Sequence, residues 1–289
     1  MSSSIIVLLI SLSFGFASPP VDPSHPGSAS YSLDYRRHEL KISGRSVVLY
    51  LPVGATVKVP VILFGHGQAM NHTHYDQSFQ HYAKKGVAVI HPMFDKGFFD
   101  QDWRRMAKDF NALSYEVFKQ YPELDQSAVI YSGHSKGAYV SLMAAGEQGN
   151  SLSPKAGIFF APAGYDKQYL QQMNADLPIT LVWGQADSII KKNDVWEIYQ
   201  KSPAKYKQFI EVKNYSGLKA DHFLAANKGT FFGGTNGVTA YHYFGSWKWL
   251  LGTVRDVVAK TSVSNEYVYG SKAILSGEAG LVHEVDKSW

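Results

Sequence analysis

A nearly continuous apolar run, Val59 to Phe64, constrains this chain more than any other feature. A strand with one wet face alternates polar and apolar residues. A run without alternation needs cover on both faces, as strands of a parallel sheet have. Similar runs recur at Val87–Ile90, Ala128–Tyr131, Gly157–Phe160 and Ile179–Trp183, with a weaker one at Phe209–Val212. Helical patterns separate them. Trp103, Met106, Phe110, Leu113 and Val117 fall on one helix face, and so do Phe244, Trp247, Leu251, Val254 and Val258. Strands alternating with helices predict an α/β fold with a mostly parallel central sheet and helices on both faces. Ahead of the runs, Tyr31, Leu33 and Tyr35 alternate as a half-buried strand does, with Arg45–Leu51 as its hairpin partner across Ser43-Gly44.

The strongest chemical signal is Gly133-His134-Ser135-Lys136-Gly137. It fits G-x-S-x-G, and a strand-like run precedes it while a helix-like run, Ala138 to Ala145, follows. That context puts a serine on a tight strand-to-helix turn. The flanking glycines remove side chains that would collide there, and the helix start favours developing negative charge. The alternative is an ordinary glycine-rich turn.

On these residues the chain resembles the α/β-hydrolase superfamily from about Arg45 to Val258, in particular its chlorophyllase-like, dienelactone-hydrolase-like and bacterial polyester-hydrolase-like branch. Those families usually carry a further glycine after the motif, where this chain has Ala138. The resemblance implies Ser135 as nucleophile. It further implies an oxyanion hole at Gly65-His66-Gly67-Gln68, where the backbone N–H groups of Gln68 and Lys136 are the donors. Backbone donors make side-chain identity at 68 and 136 unimportant. His66 and His134 are expected to be packed, with His66 bonded to backbone.

A serine hydroxyl needs a base, and the base needs an acid to fix its tautomer. In this fold the chain order is Ser, acid, His. Asp187 ends the loop after Ile179–Trp183, and His222 follows the candidate last strand, so Ser135, Asp187 and His222 are the expected catalytic residues. Asp187 could instead cap the helix after it, and His222 could be a surface histidine. His242 and His283 also follow Asp187 but sit at the start of the last helix and in the tail. Asp221 is too close in sequence to orient the next ring, and Asp194 lies within the following helix. His72 and His74 lack the carboxylates or spacing of a metal site, so neither a metal nor a cofactor is expected.

These residues predict a serine esterase acting through an acyl-serine intermediate. The rivals are an amidase or acyltransferase on the same fold, or a non-catalytic binding protein. About 17 residues separate the runs ending near Ala161 and starting near Ile179, a length suited to a short connection plus one helix. No large cap is therefore expected, and an open site suits bulky or polymeric esters as well as small ones. Trp183 and Phe94, with Phe98 and Phe99, are candidates for its apolar surface, although core is the commoner fate of aromatics.

Charge narrows the partners: 28 basic against 24 acidic residues, without a basic stripe, argue against nucleic acid. Cysteine is absent, which excludes disulfides and a thiol nucleophile. An uncharged apolar stretch, Ile5 to Phe16, with Gly15 and Ala17 behind it, resembles a secretory signal, residues 1–17. The alternatives are an uncleaved anchor or a buried first helix. Export to the extracellular space or periplasm follows from the signal reading. No later stretch suits a transmembrane segment. Residues 18–29 read as an exposed Pro/Ser-rich lead-in, 30–262 as the α/β domain, and 263–289 as an unassigned extension. Asn71 and Asn214 head glycosylation sequons.

Overall fold

Alternation along each strand sets the layers. The structure is a computed structural model, described for residues 19–147, 149–164, 166–215, 217–259 and 282–287. In β3 (Val59–Gly65), Val61 and Leu63 enter one apolar core while Ile62 and Phe64 enter the other. Strand side chains point to opposite faces in turn, so a continuous apolar run must feed two cores. β1 (Asp34–Ile42) and β2 (Arg45–Val53) form an antiparallel hairpin across Ser43-Gly44. β4 (Ala88–Pro92), β5 (Leu124–His134), β6 (Ala156–Phe160), β7 (Ile179–Gly184) and β8 (Lys207–Val212) complete the parallel part with β3. The sheet order is β1-β2-β4-β3-β5-β6-β7-β8-β9, where β9 (Val282–Lys287) is an antiparallel edge strand.

Helices cover both faces. On one lie α2 (Trp103–Gln120), α3 (Lys136–Gly146), the short α4 (Lys167–Gln172) and α5 (Lys192–Lys201). On the other lie α1 (Asp76–Lys84) and α6 (Trp247–Ala259). The chain is thus α/β with a mostly parallel sheet, as the apolar runs predict. Between β6 and β7, α4 is the only helix among the described residues, so no cap domain is built there. No helix of the described residues is long and apolar enough to cross a membrane.

Topology fixes where a site can form. From β3 the chain moves outward to β4, then returns past β3 to β5. The sheet order therefore reverses between β3 and β5, and a crevice opens outside the carboxyl ends of strands at such a point. β3 and β5 pair in register there, Gly65 opposite Gly133.

Three expectations change. The first strand begins at Asp34, so Tyr31 and Leu33 precede it. The lead-in is not simply exposed: His25, Pro26, Gly27 and Ser28 are buried. A Cβ at Gly27 would lie 1.8 Å from the Tyr243 carbonyl oxygen, so only glycine allows this approach. His81 Nε2–H donates to the Pro26 carbonyl at 2.9 Å, and Tyr31 O–H donates to His81 Nδ1 at 3.1 Å. The segment is a strap across α1 and α6. Within the unassigned extension, residues 282–287 form β9. Residues 1–17, expected to be a signal, and the rest of the extension lie outside the described residues.

Candidate active site

Ser135 sits where β5 ends and α3 begins, with φ +56° and ψ −125°. A non-glycine residue held at such angles costs about 1–3 kcal/mol and persists only when its surroundings enforce it. Here the enforcement is visible. Ser135 N–H donates to the Phe160 carbonyl at 2.9 Å, and the Ser135 carbonyl accepts from Ala138, Tyr139 and Ala163. A Cβ at Gly137 would lie 2.2 Å from the Gly65 carbonyl carbon, so the turn and the loop after β3 meet backbone to backbone. Ala138 is fully buried, and its methyl is accommodated in the core.

The loop after β3 brings Gly65 to Gln68 beside this turn. Neither the Gln68 nor the Lys136 backbone N–H has an acceptor among the described residues. Lys136 opens α3, where a first-turn N–H has no partner within its helix. The two side chains also make contacts of their own. Gln68 Nε2 donates to the Phe98 carbonyl at 2.8 Å, and the buried Lys136 Nζ lies 3.5 Å from an Asp95 carboxylate oxygen. Both bind the 95–98 segment to the serine turn. His66 is buried, bonds the Gly67 carbonyl through Nδ1 at 3.0 Å and stacks on Phe94.

Asp187 and His222 come from the loops after β7 and β8. His222 Nδ1–H donates to Asp187 Oδ2 at 2.8 Å, and the carboxylate is fully buried. Asp187 Oδ1 accepts from the N–H groups of Ile189 and Ile190, at 2.9 and 2.8 Å. One oxygen thus meets His222 and the other closes the 187–190 turn, whereas the following helix α5 is headed by Lys191, so Asp187 does not cap it. The loops are locked together: Ala186 N–H donates to the Ala220 carbonyl, and Asn214 Oδ1 accepts from Ala220 N–H. Asp221 accepts from Phe223 N–H and does not reach the His222 ring. His242 bonds the Ala226 carbonyl and Thr239 away from the site.

A cavity of about 190 Å³ holds Ser135 and His222 in one wall system, with Gln68, Met70, Phe98 and Phe232 among its lining. Ser135 Oγ and His222 Nε2 have no hydrogen-bond partner among the described residues, and they do not bond each other. Two expected lining residues are elsewhere. Phe94 is in the core against His66 and Phe110. Trp183 is buried and donates its indole N–H to the Ile190 carbonyl at 2.8 Å, supporting the Asp187 loop. Aromatics at or just past the strand ends were drawn into the core, while Phe98 and Phe232 lie in turns bounded by Gly97 and Gly233, a signal the sequence does carry.

His134 is the member least obvious from sequence. Tyr75 O–H donates to His134 Nδ1 at 2.9 Å, Gly67 N–H donates to the Tyr75 hydroxyl at 3.0 Å, and His134 Nε2–H donates to the His222 carbonyl at 2.9 Å. One neutral tautomer satisfies the whole chain of bonds. Burial holds the His134 pKa well below the ordinary histidine value, with the neighbouring His222 adding to the shift. The loops carrying Gly67, Ser135 and His222 are thereby fixed to one another through a single buried ring.

The sequence matches no protein-family model, and no curated protein matches it. What the site can do must come from its own geometry. An imidazole whose Nδ1–H is held by a buried carboxylate can take a proton at Nε2. A serine on a strained turn beside two uncommitted backbone donors can present an oxygen nucleophile where negative charge is stabilised.

Proposed function

We propose that this chain is a serine hydrolase of the α/β-hydrolase fold that cleaves carboxylic esters. The observation carrying the reading is the buried Asp187–His222 pair opening on the same cavity as Ser135, whose backbone is held at positive φ. Ser135 stands at the end of β5, beside the reversal point of the sheet, and the loop after β8 brings His222 to the same cavity.

In the proposed cycle, Ser135 Oγ attacks the ester carbonyl carbon while its proton passes to His222 Nε2. Asp187 holds the imidazolium that results. The carbonyl oxygen becomes an oxyanion between the Gln68 and Lys136 N–H groups. The C–O bond to the alcohol breaks, and the alcohol departs with the proton from His222. Water then attacks the acyl-serine, again giving its proton to His222, and the acid leaves as Ser135 recovers its hydrogen. Ser135 Oγ and His222 Nε2 are not hydrogen-bonded to each other here, and the proposed proton transfer requires them within about 3 Å in the complex with substrate.

Export of the chain and a signal at 1–17 belong to this proposal and rest on the sequence alone. The test is covalent labelling. A fluorophosphonate should modify Ser135 and no other serine, and Ser135→Ala should abolish both labelling and turnover of p-nitrophenyl butyrate. Full esterase activity in the Ser135→Ala protein would refute the assignment.

A further inference from the structure

Two turns at the mouth of the Ser135 cavity each carry a pair of phenylalanines at the tip. In the first, Asp100 N–H donates to the Gly97 carbonyl at 3.2 Å, which puts Phe98 and Phe99 at the centre of a four-residue turn. In the second, Gly233 N–H donates to the Thr230 carbonyl at 3.1 Å and Thr230 N–H returns the bond at 2.7 Å, with Phe231 and Phe232 between them. The rings in each pair meet edge to face, 5.0 Å apart at 80° and 5.7 Å apart at 81°. Phe98 and Phe232 line the cavity that holds Ser135, as does Ile189.

Their exposure is unusual. Phe98 and Ile189 are 45% and 46% exposed, Phe232 64%, Phe99 87% and Phe231 98%. Every exposed phenylalanine among the described residues lies in these two turns. Turn centres ordinarily take Gly, Asn, Asp, Pro or Ser. Single exposed apolar side chains need no explanation, whereas a cluster around a cavity marks a surface that meets something apolar. The turns are also held in place. Gln68 fixes the Phe98 carbonyl, the Asp100 carboxylate accepts from Lys96 N–H at 2.7 Å and pairs with Arg105, and Thr230 Oγ1 accepts from Phe232 N–H at 3.1 Å.

The cavity and the turns together define what can sit there. No Asp, Glu, Lys or Arg lines the cavity, which suits an uncharged ligand. Its volume, about 190 Å³, is below the roughly 300–1,000 Å³ of pockets that enclose a whole small molecule. Only the reacting end of a larger ester fits inside, and the remainder lies across the turns. Phe99 and Phe231 project past the cavity, so covering them takes a phase that rings can enter. Edge-to-face pairs offer no flat platform to a rigid film, whereas a fluid closes around them. We propose that the site acts on neutral aliphatic esters at the surface of a fluid aggregate, such as an oil droplet, with the two Phe-Phe turns entering that surface on either side of the reactive serine. The proposal rests on the esterase reading above.

The experiment separates adsorption from turnover. Flotation with phosphatidylcholine-stabilised triolein droplets is measured for the Ser135→Ala protein, with and without Phe99→Ser and Phe231→Ser. The added substitutions should lower the partition coefficient by roughly tenfold or more, since each removes a ring from the apolar phase. In protein with Ser135 intact, tributyrin hydrolysis should rise sharply above the solubility limit. The same two substitutions should reduce that rise by roughly tenfold more than they reduce turnover of dissolved p-nitrophenyl acetate. Equal flotation of the two proteins overturns the proposal, and so does preferential adsorption to solid aromatic polyester film. Conversion of a dimer to a monomer with unchanged flotation would assign the turns to a second copy of the chain, also against it. Failure of the intact protein to hydrolyse any ester would sink the esterase reading alone, because flotation decides the role of the turns without turnover.

Discussion

The floor and the rim of the Ser135 cavity are built in opposite ways. The floor is buried backbone and imidazole: Gly65 against Gly137, Gly67 on Tyr75, Tyr75 on His134, His134 on the His222 loop. Each contact there is directional, and each group has few permitted neighbours. The rim is phenylalanine at turn tips, open to solvent, where each ring meets its neighbour in the turn edge to face. Proposed acyl chemistry needs atoms fixed to within about half an ångström, which polar contacts in a dry interior supply. Holding an apolar aggregate needs only area, which tolerates exchange of one ring for another. The difference teaches that substitutions should sort by layer: large, specific losses in the floor, graded ones in the rim.

The largest expected effect tests the floor directly. His222→Ala should lower kcat/KM on a dissolved ester by roughly 10⁴-fold or more, and Asp187→Asn by about 10⁴-fold through the wrong tautomer. Steady-state kinetics on p-nitrophenyl acetate measures both. A Phe232→Ala protein that lost as much would erase the division between layers. Next comes Gly137→Ala. Its new methyl would meet the Gly65 carbonyl carbon at 2.2 Å, so two loops must separate. Overpacking of this kind costs about 1–3 kcal/mol, readable as a lower urea midpoint, and fluorophosphonate labelling of Ser135 should slow in the same protein.

Tyr75→Phe sharpens the comparison within the floor. The ring can keep its packing on Phe64 and Phe79, but Gly67 N–H and His134 Nδ1 each lose a partner. An orphaned buried group costs about 1–3 kcal/mol. Exchange of the Gly67 amide with deuterium should accelerate and turnover should fall. If the amide exchanged as slowly as before, Tyr75 would be packing alone, and the linkage of three loops through His134 would be wrong.

The legible part of this molecule is the part set by burial and by short-range backbone rules. Val59–Phe64 and its counterparts announce a sheet covered on both faces, because apolar side chains pointing both ways have no other solution. Gly133 to Gly137 announces the tight turn, because glycine is required where Gly65 and Gly137 touch. Asp187 and His222 were readable as candidates from order along the chain, and their 2.8 Å contact is the structure's own addition. What escaped was decided by distant neighbours. Phe94, Trp183, Phe98 and Phe99 are equivalent as aromatics, and only the sheet edge pulls the first two inward and leaves the others on a turn. Pro26 and Gly27 read as loop, yet they are buried by the fit of Gly27 against Tyr243. His134 was expected to be packed, but its role as a junction depends on Tyr75, 59 residues away.

The smallest expected effect separates buried imidazole from exposed ring by pH. Burial lowers the pKa of His81 to about 3 and of His242 to about 4. His134 and His91 lie well below the ordinary value for the same reason, and His66 is also lowered. An unfolded chain binds these protons near pH 6.5, whereas the folded chain refuses them. The stability contributed by neutral burial is therefore fully present above about pH 6.5. It is lost as pH falls from there, down to about 3 for His81 and about 4 for His242. Each such histidine removes about 1.4 kcal/mol per pH unit inside its window. Urea unfolding between pH 7 and 5 should show the decline. His81→Asn should flatten it by about one proton, at a constant cost from the weakened stack on Trp247. The Phe99→Ser and Phe231→Ser substitutions carry no titrating group and should leave the slope unchanged. A slope that is the same with and without His81 would mean that this ring titrates in the folded protein, and that the strap from Pro26 does not hold it dry.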